Sequence, residues 1–226
     1  MKVNVGAAGR QVLVWEDSAA NAVRRARFIA QVQRRVWQVG AKVELDLVPD
    51  VVFGRHLRVL VDPGVRTVLR LGEGSSIEDG VTFMLKGGAL LGGPRVEIRR
   101  DCVLNLTGTL RIDGDTPLSW GTVIHCSNDI HLEAKVGIAE QVTIADSSHY
   151  FTTPDEHFWH NTKVGSVHVG ANTWLCPKVT LVSGADVGAH CIVAAGSVVT
   201  GKVPDGHLAS GVPAKARPLD LPWTRE

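Results

Sequence analysis

The chain has 226 residues, of which 44% are hydrophobic and 21% charged, with 24 Lys and Arg against 23 Asp and Glu. This composition excludes a disordered chain, and the net charge of +1 excludes recognition of nucleic acid through a strongly basic surface. The 4 cysteines lack metal-binding spacing and no secretory leader is recognised, so we expect reduced thiols in a cytoplasmic protein. No apolar run reaches the roughly 20 residues of a membrane-spanning helix, and membrane contact is not expected.

Residues 1–45 are predicted to form an arm followed by a basic amphipathic helix. The arm, 1–16, alternates weakly and forms a strand or stays unstructured. Asp17 and Ser18 are residue types that cap helices, and a helix follows over 19–39. Its arginines dominate the surface away from the apolar face: Arg24, Arg25, Arg27, Arg34 and Arg35. The favoured interpretation packs the helix on the rest of the protein with solvated arginines, and the alternative is a surface that approaches anionic lipid or a lipid-linked substrate.

Aliphatic residues recur at every sixth position over more than half of the chain. The clearest run is Val169, Leu175, Leu181, Val187, Val193 and Val199. A second run is Leu118, Ile124, Ile130, Val136 and Val142, and weaker runs are Leu71, Ile77, Phe83 and Ile98, Leu104, Leu110. A period of six suits a short strand and a tight turn repeated around a coil, with the aliphatic residues inside. Stacked coils bury a continuous column, whereas a β-sandwich with irregular strand spacing is the less favoured alternative.

The repeat slips between 142 and 169, where the 27-residue interval exceeds one 18-residue coil by nine. We therefore predict a protruding loop over roughly 150–163. Its aromatic residues, Phe151, Phe158 and Trp159, are more than a solvated loop needs. The loop is expected to pack on something, and a neighbouring subunit is the favoured partner.

Three short motifs accompany the repeat: Asp146-Ser147-Ser148-His149, Ala194-Ala195-Gly196-Ser197 and Gly211-Val212-Pro213-Ala214-Lys215. With them the chain resembles the hexapeptide-repeat acyltransferases, closest to the galactoside, maltose and polysaccharide O-acetyltransferase branch. The match is strongest over about 118–217 and degenerate over 71–117. The resemblance implies a mainly β fold, a left-handed parallel β-helix of three-sided, 18-residue coils over 46–200, preceded by the α-helix and followed by a closing turn and tail over 201–226. It also implies a homotrimer with each active site between subunits.

The resemblance assigns His149 as the general base of an acetyl transfer. A sugar hydroxyl has a pKa far above 7, and a neutral imidazole can accept its proton as the oxygen attacks a thioester. The sequence does not identify the residue that orients this histidine.

The same resemblance implies acetyl-CoA as the acyl donor and no metal. The residues expected to contact the donor are Trp174, Pro177, Ala194, Ala195, Thr200, Lys202, Lys215 and Arg217. A corner aromatic that packs on a neighbour is an equal alternative for Trp174, and the basic residues are displaced from the family pattern. On the acceptor side the family's Asn and Asp positions hold Ser119 and Ser127, with Asn128, Asp129 and Asp146 as further candidates, so a different sugar is expected.

The function predicted is transfer of acetyl from acetyl-CoA to a hydroxyl of a saccharide or sugar-bearing metabolite. The alternative within the class is N-acetylation of an amino sugar. A γ-type carbonic anhydrase is disfavoured because its zinc uses two histidines five residues apart, a spacing that this chain lacks. A non-catalytic β-helix scaffold is the remaining alternative.

Overall fold

The computed structural model describes residues 4–5, 11–12 and 18–220. Most of the predicted arm, and Asp17 with it, lies outside the described residues. Within the arm, Asn4–Val5 pairs antiparallel with Gln11–Val12. One α-helix, α1, spans Ser18–Val39, as the capping residue and apolar pattern predicted.

From residue 42 the chain winds as a solenoid with three flat faces, visited in the order first, second, third. The first face contains Lys42–Leu47, Arg66–Leu71, Ala89–Gly92, Thr109–Ile112, Asp129–Leu132, Ser166–Val169, Asp186–Val187 and Lys202–Val203. The second contains Val52–Phe53, Ser76–Ile77, Glu97–Ile98, Pro117–Leu118, Gly137–Ile138, Trp174–Leu175, Ile192–Val193 and His207–Gly211. The third contains Arg58–Val61, Thr82–Leu85, Val103–Leu106, Val123–Cys126, Thr143–Ala145, Thr180–Leu181 and Val198–Val199.

Each of these strands pairs in parallel with the strand one coil away on the same face. The first, second and third corners are the turns that follow the first, second and third face, respectively. The final strand, Ala214–Pro218, runs antiparallel to His207–Gly211, with Val212 and Pro213, joined by a cis peptide bond, at the turn. The predicted fold class, a mainly β, three-sided left-handed parallel β-helix with an N-terminal helix and a protruding loop, is confirmed.

The inward side chains form one continuous apolar column. All six members of the run from Val169 to Val199 are buried, and none is more than 2% exposed. Burial of such stacked aliphatic residues is the main favourable term for a solenoid, because no single coil has a core of its own.

The coils that precede the loop are longer than predicted. Leu118 pairs with Ile138, whereas Leu175 pairs with Val193, so that a coil before the loop exceeds one after it by two positions. The longer coils arise because strands on the third and first faces each bury two side chains, as Ile124 and Cys126 do in Val123–Cys126.

The run from Leu118 to Val142 therefore loses its six-residue register after Ile130, although all of its members are buried as predicted. Val136 is buried, but Ile138 stacks on Leu118. Residues 71–117 form complete coils. They match the six-residue pattern only weakly because each coil is longer than 18 residues.

Helix α1 packs on the first coils of the solenoid. Phe28 is 3% exposed, and its ring centroid lies 5.4 Å from that of Phe53 and 5.9 Å from that of Phe83. Arg24 donates a hydrogen bond to the Phe53 carbonyl, and Arg25 donates to two backbone carbonyls at 2.6 and 2.7 Å. The helix thus packs on the solenoid, as the favoured interpretation of the sequence expected. Two of its arginines, Arg24 and Arg25, bind backbone carbonyls and do not face solvent alone.

Within residues 18–220 we find no helix that is both long enough and apolar enough to span a bilayer.

Acidic side chains bind backbone N–H groups at the corners of neighbouring coils. A corner N–H has no ladder partner of its own, and a carboxylate satisfies it with a charge-assisted hydrogen bond. The pairs are Asp50 with Gly74, Glu78 with Arg100, Asp79 with Arg55, Glu133 with Ala171, Asp146 with Ser127 and Asn128, and Asp205 with Ala189. One of them, Asp146, lies where the predicted loop leaves the solenoid.

Candidate active site

The predicted loop is a β-hairpin that leaves the solenoid at the third corner. Ser147–His149 pairs antiparallel with Thr162–Val164, and a short 3-10 helix, Phe158–His160, lies between them. The coil that carries this hairpin runs from Ile130 to its partner Val167, close to twice the length of its neighbours. His149 is the last residue of the outgoing strand, and its side chain is exposed.

The backbone of the returning strand orients the His149 ring. Nδ1 of His149 lies 3.3 Å from the carbonyl oxygen of Asn161 and 3.4 Å from Oγ1 of Thr162. A carbonyl oxygen only accepts, so this contact assigns the ring proton to Nδ1 and a lone pair to Nε2. This is the tautomer that a general base working through Nε2 requires. Sequence reasoning missed Asn161, since nothing in a loop sequence indicates which backbone carbonyl comes within reach of the His149 ring.

The hairpin that carries His149 also presents exposed aromatic side chains. The Trp159 and His149 ring centroids are 5.3 Å apart in an edge-to-face arrangement, and Trp159 is 64% exposed. Tyr150 and Phe151 are 44% and 64% exposed. The chain by itself therefore leaves an apolar surface on the hairpin uncovered, which is the surface predicted to pack on a neighbouring subunit.

The acceptor-side candidates separate into two places. Ser127 and Asn128 lie at the third corner, one coil before Asp146, which lies at the same corner immediately before the hairpin. Asp129 directly follows Asn128 as the first residue of a first-face strand. Ser119 lies at the second corner, is 4% exposed, and donates a hydrogen bond to Glu140 at 3.1 Å. The structure thus does not bring Ser119 together with His149 in one chain.

Most of the third-corner candidates already have partners within the chain. The Asp146 carboxylate is fully buried and accepts from the Ser127 and Asn128 backbone at 2.7 and 2.8 Å. Asn128 donates its side-chain amide to the Gly165 carbonyl at 2.8 Å. Asp129 accepts from Arg111 at 3.0 Å. Asn128 is exposed, and Ser127 and Asp129 are half-buried.

The donor-side candidates are spread over several faces. Trp174 opens a strand of the second face and is 51% exposed, and Pro177, Ala194 and Ala195 follow that face at the second corner. Thr200 lies at the third corner, above the hairpin. The basic residues do not share a face: Lys202 is on the first, whereas Lys215 and Arg217 are on the antiparallel strand added to the second.

The cysteines lie inside the solenoid, where they cannot act as nucleophiles. All four are buried, and burial raises the pKa of Cys102 and of Cys126 to about 12 in each case. A thiol with such a pKa stays protonated and unreactive near neutral pH.

A second polar cluster lies on the first face, around His168. Its Nδ1 is 2.9 Å from Asp186, and its Nε2 is 3.0 Å from Glu133. Burial alone lowers the pKa of His168, but the hydrogen bonds to Asp186 and Glu133 outweigh burial and raise it. The bond from His168 and a second from the Ala171 backbone lower the pKa of Glu133.

This cluster predicts a pH-dependent stability. A histidine whose folded pKa is raised contributes stability below its unfolded pKa, 6.5, and loses that contribution as the pH rises through the folded value. We expect the stability difference between wild type and His168→Gln to be largest below pH 6.5 and to shrink as the pH rises through the raised pKa of His168. Urea unfolding at each pH measures it. His125→Gln is the control, because His125 contacts the Asn105 amide and not a carboxylate. A difference that stays constant with pH would contradict the assignment.

Among the residues described, no group of three or more His, Cys, Asp and Glu side chains is arranged to hold a metal ion.

Comparison with known proteins agrees with the fold and the repeat. The family model of the bacterial transferase hexapeptide (six repeats) matches residues 166–201. A probable acetyltransferase of Mycobacterium tuberculosis is 30% identical over 120 residues, which cover 51% of this chain and 39% of that protein. A putative lipopolysaccharide biosynthesis O-acetyl transferase of Escherichia coli, WbbJ, is 32% identical over 115 residues, covering 41% and 59%.

Comparison with a solved structure supports the fold. The crystal structure of the polySia-specific acetyltransferase NeuO superposes with a TM-score of 0.52 at 19% identity, covering 83% of this chain and 79% of that one. The chain spans 35% to 59% of the length of the curated relatives it matches. The predicted resemblance to the hexapeptide-repeat acetyltransferases is confirmed, and the chain carries the hexapeptide repeat of bacterial transferases.

Proposed function

We propose that this protein is an acetyl-CoA-dependent O-acetyltransferase that modifies a hydroxyl of a saccharide or sugar-bearing metabolite, with His149 as the general base. The observation that carries the proposal is the His149 ring, exposed on the hairpin and held by the Asn161 carbonyl in the tautomer with its lone pair on Nε2. The named acetyltransferases among the relatives, including one described as an O-acetyl transferase, support the reaction class.

The reaction follows from this geometry. Nε2 of His149 accepts the proton of the acceptor hydroxyl while the hydroxyl oxygen attacks the thioester carbonyl carbon. A backbone N–H of the solenoid stabilises the negative charge on the carbonyl oxygen. The carbon–sulfur bond then breaks, and the leaving thiolate takes up the proton from the imidazolium. The Asn161 carbonyl holds the ring through both proton transfers because it binds Nδ1–H in the neutral and the charged form alike.

The acceptor binds beside the hairpin in this proposal. Ser127, Asn128 and Asp129, at or directly after the third corner, are the acceptor candidates that solvent reaches. The exposed Trp159 ring lies next to His149. An aromatic face suits the C–H face of a sugar ring, while amide and carboxylate groups suit its hydroxyls. These groups fit a saccharide better than a purely apolar acceptor.

The donor site supports a homotrimer. In one chain, Pro177 and Ala195 at the second corner are separated by the whole third face from His149 at the third corner. A second copy that places its second corner against this third corner would bring the two sets together and cover the hairpin aromatics. Such a head-to-tail contact closes into a ring when its rotation divides a full turn, and a rotation of about 120° between copies gives the trimer of this proposal. The cytoplasmic location also stays a prediction.

Release of free thiol from acetyl-CoA tests the function. We expect release that depends on one class of hydroxyl-bearing sugar in a panel of sugars, nucleotide sugars, amino sugars, glycosylated metabolites and serine. An NMR spectrum of the product separates O- from N-acetylation. Failure to bind acetyl-CoA in calorimetry would contradict the proposal and favour the scaffold alternative.

A further inference from the structure

The orientation of His149 depends on how the hairpin is attached to the solenoid. Ser147 is the first hairpin residue and His149 lies two residues beyond it, a reach of about 7 Å along an extended strand. A displacement of the hairpin base therefore displaces the imidazole of His149 by about the same distance. The groups that hold the base decide whether Nε2 faces the reacting atoms.

Asp146, the residue immediately before the hairpin, is completely buried. One carboxylate oxygen accepts from the Ser127 backbone N–H at 2.7 Å and the other from the Asn128 backbone N–H at 2.8 Å. Its own backbone carbonyl accepts from the Gly165 N–H at 2.7 Å, just after the returning strand. One residue thus binds the corner of the neighbouring coil and the end of the hairpin at once.

The same corner holds both legs of the hairpin through side chains. The hydroxyl oxygens of Ser127 and Ser147 are 2.9 Å apart, which ties the outgoing leg. The Asn128 side-chain amide donates to the Gly165 carbonyl at 2.8 Å, which ties the returning leg. The Asp146 carboxylate fixes the backbone of the two residues that make these ties.

We propose that Asp146 is a positioning residue for His149, clamping the Ser127–Asn128 turn and both legs of the hairpin. This inference rests on the proposed function of His149 and replaces the predicted contact of Asp146 with the acceptor. Full burial keeps the carboxylate away from any acceptor, and both oxygens are already engaged. Asp is seldom fully buried without partners, and here the partners are backbone N–H groups at the base of the hairpin.

Asp146→Asn tests the inference with little change of shape. The amide can accept only one of the two N–H bonds, and its NH2 group opposes the other N–H. We expect kcat to fall at least about tenfold while KM for acetyl-CoA stays within about twofold. We also expect faster deuterium exchange at the hairpin amides of 147–164 and unchanged exchange in the coils. Asp50→Asn is the matched control, since Asp50 binds the Gly74 N–H at a corner remote from the hairpin.

A double mutant separates positioning from a general structural role. If Asp146 acts through His149, the double mutant Asp146→Asn/His149→Ala should have the same kcat as His149→Ala alone. If Asp146 contributes independently, the fold-losses in kcat of the two single mutants should multiply. The pH profile of kcat/KM should keep its apparent pKa in Asp146→Asn. Ser147→Ala, which removes only the contact with Ser127, is expected to act in the same direction more weakly and serves if Asp146→Asn does not fold.

The possible failures are distinguishable. Multiplying losses in the double mutant, or unchanged hairpin exchange in Asp146→Asn and in Ser147→Ala, would overturn the positioning role and leave the base assignment intact. Full turnover in His149→Ala would overturn the proposed function and, with it, this inference.

Discussion

His149→Ala is expected to lower kcat at least about a hundredfold while leaving the Kd of acetyl-CoA within about twofold. The variant removes the ring nitrogen that the hairpin backbone orients through the contact with the Asn161 carbonyl. Donor binding should persist because the residues assigned to it, apart from Thr200, lie on other faces and corners of the solenoid. Initial-rate kinetics with thiol detection measures kcat, and calorimetry measures Kd.

The control for this prediction lies in the same hairpin. His160 is exposed on the 3-10 helix and has no assigned role in the chemistry, so His160→Ala should keep kcat within about threefold. A comparable fall of kcat in His149→Ala and His160→Ala would indicate that the substitutions disturb the structure of the hairpin. Unchanged turnover in His149→Ala would remove this residue from the mechanism.

Gly108→Ala is expected to destabilise the protein by about 2–4 kcal/mol through overpacking at the third corner. A Cβ at Gly108 would lie 2.3 Å from the backbone O of Asn128 and 2.4 Å from its backbone N. These atoms cannot move aside cheaply: Thr109 N–H donates to the same oxygen at 2.8 Å, and Asp146 accepts from the same N–H. Urea unfolding at fixed protein concentration measures the change.

Gly201→Ala is the matched control at the same corner higher in the solenoid. A Cβ at Gly201 meets nothing within 4 Å, so its effect should stay within about 0.5 kcal/mol. Equal unfolding midpoints for wild type and Gly108→Ala would show that the coils can separate at this corner. The close packing of Gly108 against the Asn128 backbone would then be wrong.

The class of fold could be predicted because a six-residue period admits few structures. Residues such as Leu175, Leu181 and Val187 must share one interior, and neither a helix nor a long strand places every sixth residue on the same side. His149 could likewise be selected from nine histidines because a motif and the end of a repeat coincide there. These signals are local in sequence, so a single chain contains them in full.

The partners of the candidate residues could not be predicted in this way. Ser127, Asn128 and Asp146 are polar residues near a histidine, and their residue types suit an acceptor site equally well. Only the register between coils shows that they bind one another and hold the hairpin.

The sequence by itself determined that this chain stacks short strands into a column, that a segment near residue 150 leaves the column, and which histidine stands at the exit. The tertiary structure decided the greater length of the coils before the hairpin, the burial of Asp146 and the contact between His149 and Asn161. The reason is physical. The spacing of inward-facing aliphatic side chains can be read from residue types along the chain. The length of a corner and the pairing of a hairpin depend on backbone N–H and C=O groups, which nearly every residue has. Backbone hydrogen bonds carry no sequence signature, and at this site they orient the side chain proposed as the general base.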